Sequence, residues 1–331
     1  MIENTIHHRN SASGAQHAVQ QTVHESVALG RRRFALSAVV MAVAGLAGCG
    51  GGTKTESTLV PTRFIAFGDG LTDAGQVGGT IYTVKDGSSN NWAQITAANY
   101  GLALKAQSAG GQNWARGNAR VALKPDAAGS AATLTMTEQI DAFLASNTIG
   151  KDDVLLLSPG ISDLVVQGDG VKAGTIAAAD ALANAQAAGK AVAAQAKRLV
   201  AAGGTHVVVA AAYNLGKSPY ATANGLNSLL ESASLKLNEA MLIDLVNDGA
   251  NVLYIDMAFR TNQIINQPGS NGFTNSAAAA CTTPTATTCL PSTITTGVTY
   301  DSYVFADDRY FTPAMQRVLG DYAASRVRSR W

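Results

Sequence analysis

Hydrolysis by a side-chain nucleophile needs three groups at one place: a hydroxyl or thiol, an imidazole to take its proton, and a carboxylate to orient the imidazole. The chain has five histidines, and four of them, His7, His8, His17 and His24, fall within the first 34 residues. Beyond residue 48 only His206 remains, opening the apolar run His206-Val-Val-Val-Ala-Ala-Ala212. A residue that opens a strand in an α/β sheet lies at the edge opposite the one where such proteins place their chemistry. No paired histidines or cysteine clusters suggest a catalytic metal, and no cofactor is expected. Gly68-Asp69-Gly70 follows the apolar run Phe64 to Phe67 as a turn follows a strand. No Gly-x-Gly-x-x-Gly accompanies it, so nucleotide binding is unsupported.

The elements that must position these residues alternate in type. From Arg63 onward, short apolar runs are separated by helical patterns, the signature of a parallel sheet with crossover helices. Strands are predicted at 63–67, 104–108, 153–158, 206–212 and 251–256. Two of them, Asp153-Val-Leu-Leu-Leu-Ser158 and 206–212, are continuous rather than alternating, as expected for strands covered on both faces. Thr135-Met-Thr-Glu138 makes a capping box ahead of Gln139 to Ser146. Ala-rich residues 175–202 end at Gly203-Gly204, and the Leu-rich stretch 226–248 ends at Gly249; both are glycine stops for helices. A last helix opens with Thr312 as N-cap and Pro313 behind it and runs to about Arg328. Residues 268–300 read as a long Thr/Asn/Ser loop. No second domain boundary or internal repeat is visible.

The N-terminal region reads as a targeting segment. Arg31-Arg32-Arg33-Phe34 precedes the apolar run Ala35 to Gly48, which suits a signal-peptide core and is short for a membrane span. Arg-Arg-x-Phe resembles a twin-arginine export signal; ordinary positive charge before an apolar core explains it equally well. Leu46-Ala47-Gly48-Cys49 resembles the lipobox of bacterial lipoproteins, which implies a lipid on Cys49 and an envelope location, with the outer membrane expected. The organisation is then a signal peptide over 1–48, a lipidated N-terminus and flexible tether over 49–62, and one domain over 63–331. With Cys49 so assigned, Cys281 and Cys289 remain, and in an oxidising compartment they read as one local disulfide. Zinc would need further ligands than two thiolates. The formal net charge of +1 and pI near 7.7 point away from nucleic acid.

The motifs resemble those of the GDSL, or SGNH, ester hydrolases. Phe67-Gly-Asp-Gly-Leu-Thr72-Asp73 is similar to the family's first block, where Gly-Asp-Ser-Leu carries the nucleophile. Asn113-Trp-Ala-Arg-Gly-Asn118-Ala is similar to the second block, and Ser158-Pro-Gly-Ile-Ser162-Asp163 to the third. Asp307-Asp-Arg-Tyr310-Phe-Thr-Pro313 is similar to the last. Further likeness at Tyr213 to Tyr220, Asn238, Tyr254 to Met257 and Gly272 to Asn275 extends it from about Arg63 to Arg328. The resemblance implies a three-layer α/β/α, flavodoxin-like fold with a five-stranded, mostly parallel sheet. It also implies roles by position: nucleophile at Gly70, oxyanion donors at Asn118 and Ser162, acid at Asp307 and base at Tyr310. Of these, only Asp307 is the residue the chemistry needs. Glycine cannot attack a carbonyl, and a tyrosine of ordinary pKa near 10 is a poor base at neutral pH. Thr72 and Ser162 read as packing and capping residues rather than as replacement nucleophiles.

Three functions are compatible with these residues. The first is an inactive relative that binds an acyl-ester-like or glycan-like ligand. The second is a weak or rewired carboxylic-ester hydrolase, and the third is a structural envelope component whose cleft is vestigial. The partners expected are a membrane, reached through the N-terminal lipid, and the cleft's ligand.

Overall fold

The computed structural model describes residues 58–87, 90–158 and 160–331. The targeting segment, Cys49 and most of the tether lie outside the described residues. Four strands, β1 (Arg63–Gly68), β2 (Asp153–Ser158), β3 (Val207–Ala210) and β4 (Val252–Ile255), form one sheet in that order, every pair parallel. Every residue of β2 and β3 is buried, which is why their sequences carry no polar alternation.

Parallel neighbours must be joined by right-handed crossovers, and these place α2 (Met136–Ser146), α4 (Ala178–Ala201) and α6 (Asn227–Asp244) on one face. Helices α1 (Trp92–Ala98) and α8 (Pro313–Arg330) pack together against the other, completing three layers. The remaining helices are α3 (Ile161–Lys172), α5 (Pro219–Asn224) and α7 (Met257–Asn266).

Helix starts follow their caps. Thr135 accepts from the Glu138 amide and the Glu138 side chain returns the bond, so α2 begins where the capping box predicts. Thr312 caps α8 ahead of Pro313. The four-residue spacing of alanines on α4 lets α6 approach closely. Gly189 is the point of nearest approach, where an added Cβ would run into the Leu237 carbonyl and come within 3.0 Å of the Ala240 methyl.

The sheet has four strands where five were expected. Residues 104–108 do not form a strand: the chain turns through a 3₁₀ segment at Gln107–Ala109 and doubles back over Gly110-Gly111. The next stretch runs along β1 instead, with the Ala66 amide donating to Gln112 O and the Trp114 amide to Ala66 O. The expected outer strand is therefore displaced by several residues and reduced to isolated bridges at Asn113. A second correction concerns 268–300, which holds a short strand, β5 (Asn275–Ala279), paired in parallel with β6 (Tyr303–Phe305). Within that stretch Cys281 and Cys289 are joined by a disulfide. The loop it closes is pinned beneath by Asp307, whose Oδ2 accepts the Ala286 amide at 2.6 Å. No helix among the described residues is long and apolar enough to cross a membrane.

Candidate functional site

The turn after β1 is built by backbone fixation. Gly68 exchanges two hydrogen bonds with Gln139 of α2, its amide donating at 2.9 Å and its carbonyl accepting at 3.0 Å. A side chain at Gly68 would run into the Ser158 carbonyl, so glycine is what allows the ends of β1 and β2 to meet. Asp69 then points inward, 1 % exposed. Its Oδ1 accepts the Leu71 amide at 3.1 Å and its Oδ2 accepts the Ile161 amide at the start of α3 at 3.0 Å. One carboxyl group thereby ties the turn after β1 to the helix after β2.

Gly70 follows, and its empty side is filled. A Cβ built on Gly70 lies 2.7 Å from the Tyr310 hydroxyl and 2.9 Å from the ring carbon bearing it. Tyr310 is buried and stacks at a tilt on Tyr82, ring centroids 4.7 Å apart. Burial, with Asp69 close by, pushes the phenol well above its ordinary 10.0, so it is neutral at physiological pH and can donate a hydrogen bond. Tyr82 covers the backbone of Gly117, where an added Cβ would run into its hydroxyl.

The remaining candidates sit around this pair. Asp307 directs both oxygens at backbone: Oδ1 accepts the amides of Arg309 and Tyr310 at 2.9 and 2.6 Å, and Oδ2 that of Ala286. Burial raises its carboxyl to about 6. Asn118 has φ of +61°, the one non-glycine residue in the left-handed region among the described residues, a conformation glycine adopts without cost. Ser162 is buried in the first turn of α3, and its Oγ has no hydrogen-bond partner. Thr72 is buried and its Oγ1 accepts the Trp92 indole N–H at 3.0 Å, which engages it in holding α1. A cleft of about 490 Å³ opens beside these groups, lined by Asp73, Tyr82, Arg116, Gly117 and Asn118 among others.

His206 lies at the far edge, immediately before the first residue of β3, where Gly70 and Ser162 follow the last residues of β1 and β2. Its ring packs on Trp331 at 4.8 Å. No imidazole among the described residues reaches Gly70.

Sequence reasoning passed over Asp69, Tyr82 and Gln139. Asp69 carried a signal, an acid between two glycines at a strand end. Tyr82 carried none, because its place is fixed by a loop with no regular pattern.

Asp69 gives the site a pH signature. Burial raises its carboxyl from 3.8 to about 7, against the amide donors of Leu71, Ser162 and Ile161 that favour the ionised form. Between those values the folded protein holds a proton that the unfolded chain has released, so stability falls as pH rises through this window and levels off above it. Asp307 acts with the same sign up to about 6. Urea midpoints measured from about pH 4.5 to 7.5 are expected to fall more steeply for the wild type than for Asp69→Asn, which has no proton to lose. Parallel profiles would show that Asp69 is ionised throughout.

No family model and no curated protein sequence matches the chain. Among solved structures it is similar to a member of the lipolytic protein G-D-S-L family from Veillonella parvula DSM 2008. That likeness has 11 % identity over 80 % of this chain and 96 % of the other, with a TM-score of 0.39. It is also similar to phospholipase A1 from Streptomyces albidoflavus NA297, at 14 % identity over 80 % and 98 % of the two chains and a TM-score of 0.39.

Proposed function

We propose that this protein is an exported lipoprotein, anchored through Cys49 in the cell envelope, whose GDSL-like domain binds rather than cleaves. The ligand is an acyl-ester-like or glycan-like molecule held in the cleft beside Tyr82 and Asn118. The observation that carries the reading is the Tyr310 hydroxyl standing 2.7 Å from the position of a Cβ on Gly70. The space a nucleophile would need is occupied by a neutral phenol.

The chemistry agrees with the geometry. A general base needs a pKa near the working pH so that it can stand deprotonated, and Tyr310 holds its proton more tightly than a free phenol does. Asp307 is saturated by three backbone amides and orients the Tyr310 main chain rather than its ring. The cleft meanwhile remains open, with Tyr82, Arg116 and Asn118 among its lining.

Purified protein challenged with short- and medium-chain nitrophenyl esters is expected to match the buffer rate, and a fluorophosphonate probe is expected to leave it unlabelled. Turnover well above background, abolished by Ser162→Ala or Thr72→Ala, would overturn the reading in favour of a rewired hydrolase.

A further inference from the structure

Five of the nine large apolar side chains exposed among the described residues cluster along α6 and the start of α7. Leu235 and Leu242 of α6 line a groove of about 310 Å³ together with Phe259 of α7. Ile243 near the end of α6 and Val246 in the turn just beyond it are 69 % and 72 % exposed and extend the apolar stripe at helical spacing. A contiguous apolar stretch of this kind marks a docking face. Two carboxylates within it are engaged: Glu239 pairs with Lys236 at 3.2 Å, and Asp256 accepts the Phe259 amide at 2.8 Å.

This face ends beside the point where the described chain begins. Val246 lies three residues before Gly249, whose carbonyl accepts from Arg330 Nη2 at 2.6 Å. The carbonyl of the next residue, Trp331, accepts the amides of Thr58 and Leu59 at 3.0 and 3.3 Å. Residues 50–57 alone separate Cys49 from Thr58, a span that reaches about 30 Å at full extension. Arg326 and Arg330 stand one turn apart and exposed at this corner, with the Arg330 guanidinium 6.0 Å from the centre of the Trp331 ring. Arginine and tryptophan are the side chains that settle at a lipid–water boundary, and basic clusters there favour anionic headgroups.

We propose that the α6–α7 face lies against an anionic phospholipid surface, with Leu242, Ile243, Val246 and Phe259 in the headgroup–acyl boundary and Arg326 and Arg330 at the phosphates. The inference rests on the lipid anchor of the proposed function and is independent of what occupies the cleft.

Protein purified from membranes is reconstituted into vesicles of phosphatidylethanolamine and phosphatidylglycerol. Val246→Cys, Phe259→Cys and Leu123→Cys, each labelled with an environment-sensitive dye, are compared with and without brominated lipid; Leu123 is an exposed control on the segment before α2. Quenching of about twofold or more is expected at Val246 and Phe259 and none at Leu123. Absence of quenching at both test positions overturns the inference, as does energy transfer between dyes on neighbouring copies without quenching, which would assign the face to self-association. Intact mass reports Cys49 separately: a chain without the diacylglyceryl group overturns the anchor, whereas unquenched dyes on a lipidated chain overturn the face.

Discussion

Gly70→Ser on its own is expected to lower stability by about 1–3 kcal/mol, the range for forcing extra atoms into a filled site, and to yield no esterase activity. The added Cβ meets the Tyr310 hydroxyl and ring, so the serine can enter only by displacing a buried phenol from its stack on Tyr82. Removing the hydroxyl alone is insufficient, because the ring carbon that bears it lies 2.9 Å from the same point. Tyr310→His shortens the side chain and introduces an imidazole beside residue 70 in one change. The pair Gly70→Ser/Tyr310→His is therefore expected to recover most of the lost stability and to react with fluorophosphonate, which neither single variant does. A thermodynamic cycle over the four proteins should give a favourable coupling of about 1–2 kcal/mol, as for residues in direct contact. Adding Ser162→Asn is expected to raise kcat/KM further, by on the order of 10²–10³ for the side-chain donor it introduces, and Asn118→Gly to open the approach to a backbone amide already present. Additive stabilities, or labelling of Gly70→Ser alone, would show that Tyr310 does not fill the site.

The second large effect is structural and lies away from the cleft. Gly189→Ala is expected to cost about 2–4 kcal/mol, more than most single methyl additions, because the methyl meets backbone rather than a movable side chain. The obstacle is the Leu237 carbonyl on α6, and the Ala240 methyl closes the space beside it. Relief requires α4 and α6 to separate along their whole contact. Gly249→Ala, where nothing lies within 4 Å of the added methyl, serves as the control and is expected to change stability by less than about 0.5 kcal/mol. The two are compared by urea midpoint; equal midpoints would refute the close approach.

The strands and the helices with strong caps were legible because their signals are local. Asp153 to Ser158 forms a strand as its apolar run predicts, and Thr135 with Glu138 opens α2. Residues 104–108 misled because a weakly apolar run next to Gly110-Gly111 can turn as readily as extend, and the sheet edge was taken by 112–116 instead. Helix α3 escaped notice since Gly168 and Gly170 interrupt its pattern; Gly168 is packed against by Leu226 and Leu230, a tertiary reason for a locally poor helix residue. At the candidate site, the absences were readable: no hydroxyl at 70 and no imidazole at 310. That the one fills the space of the other was not readable, because it depends on the path of the turn after Phe305.

The contact between Gly70 and Tyr310 has a consequence for how this chain can change over generations. Serine first meets the phenol; histidine first leaves an unpaired imidazole in a buried pocket with no hydroxyl to serve. Each single step toward catalysis lowers fitness for folding and returns no activity to select, while the double step does both. The two positions form a valley in sequence space with a floor about 1–3 kcal/mol deep. On the proposed reading, a domain on this side of it is free to drift toward better binding, and the packing of Tyr310 against Gly70 stands in the way of a serine at that position.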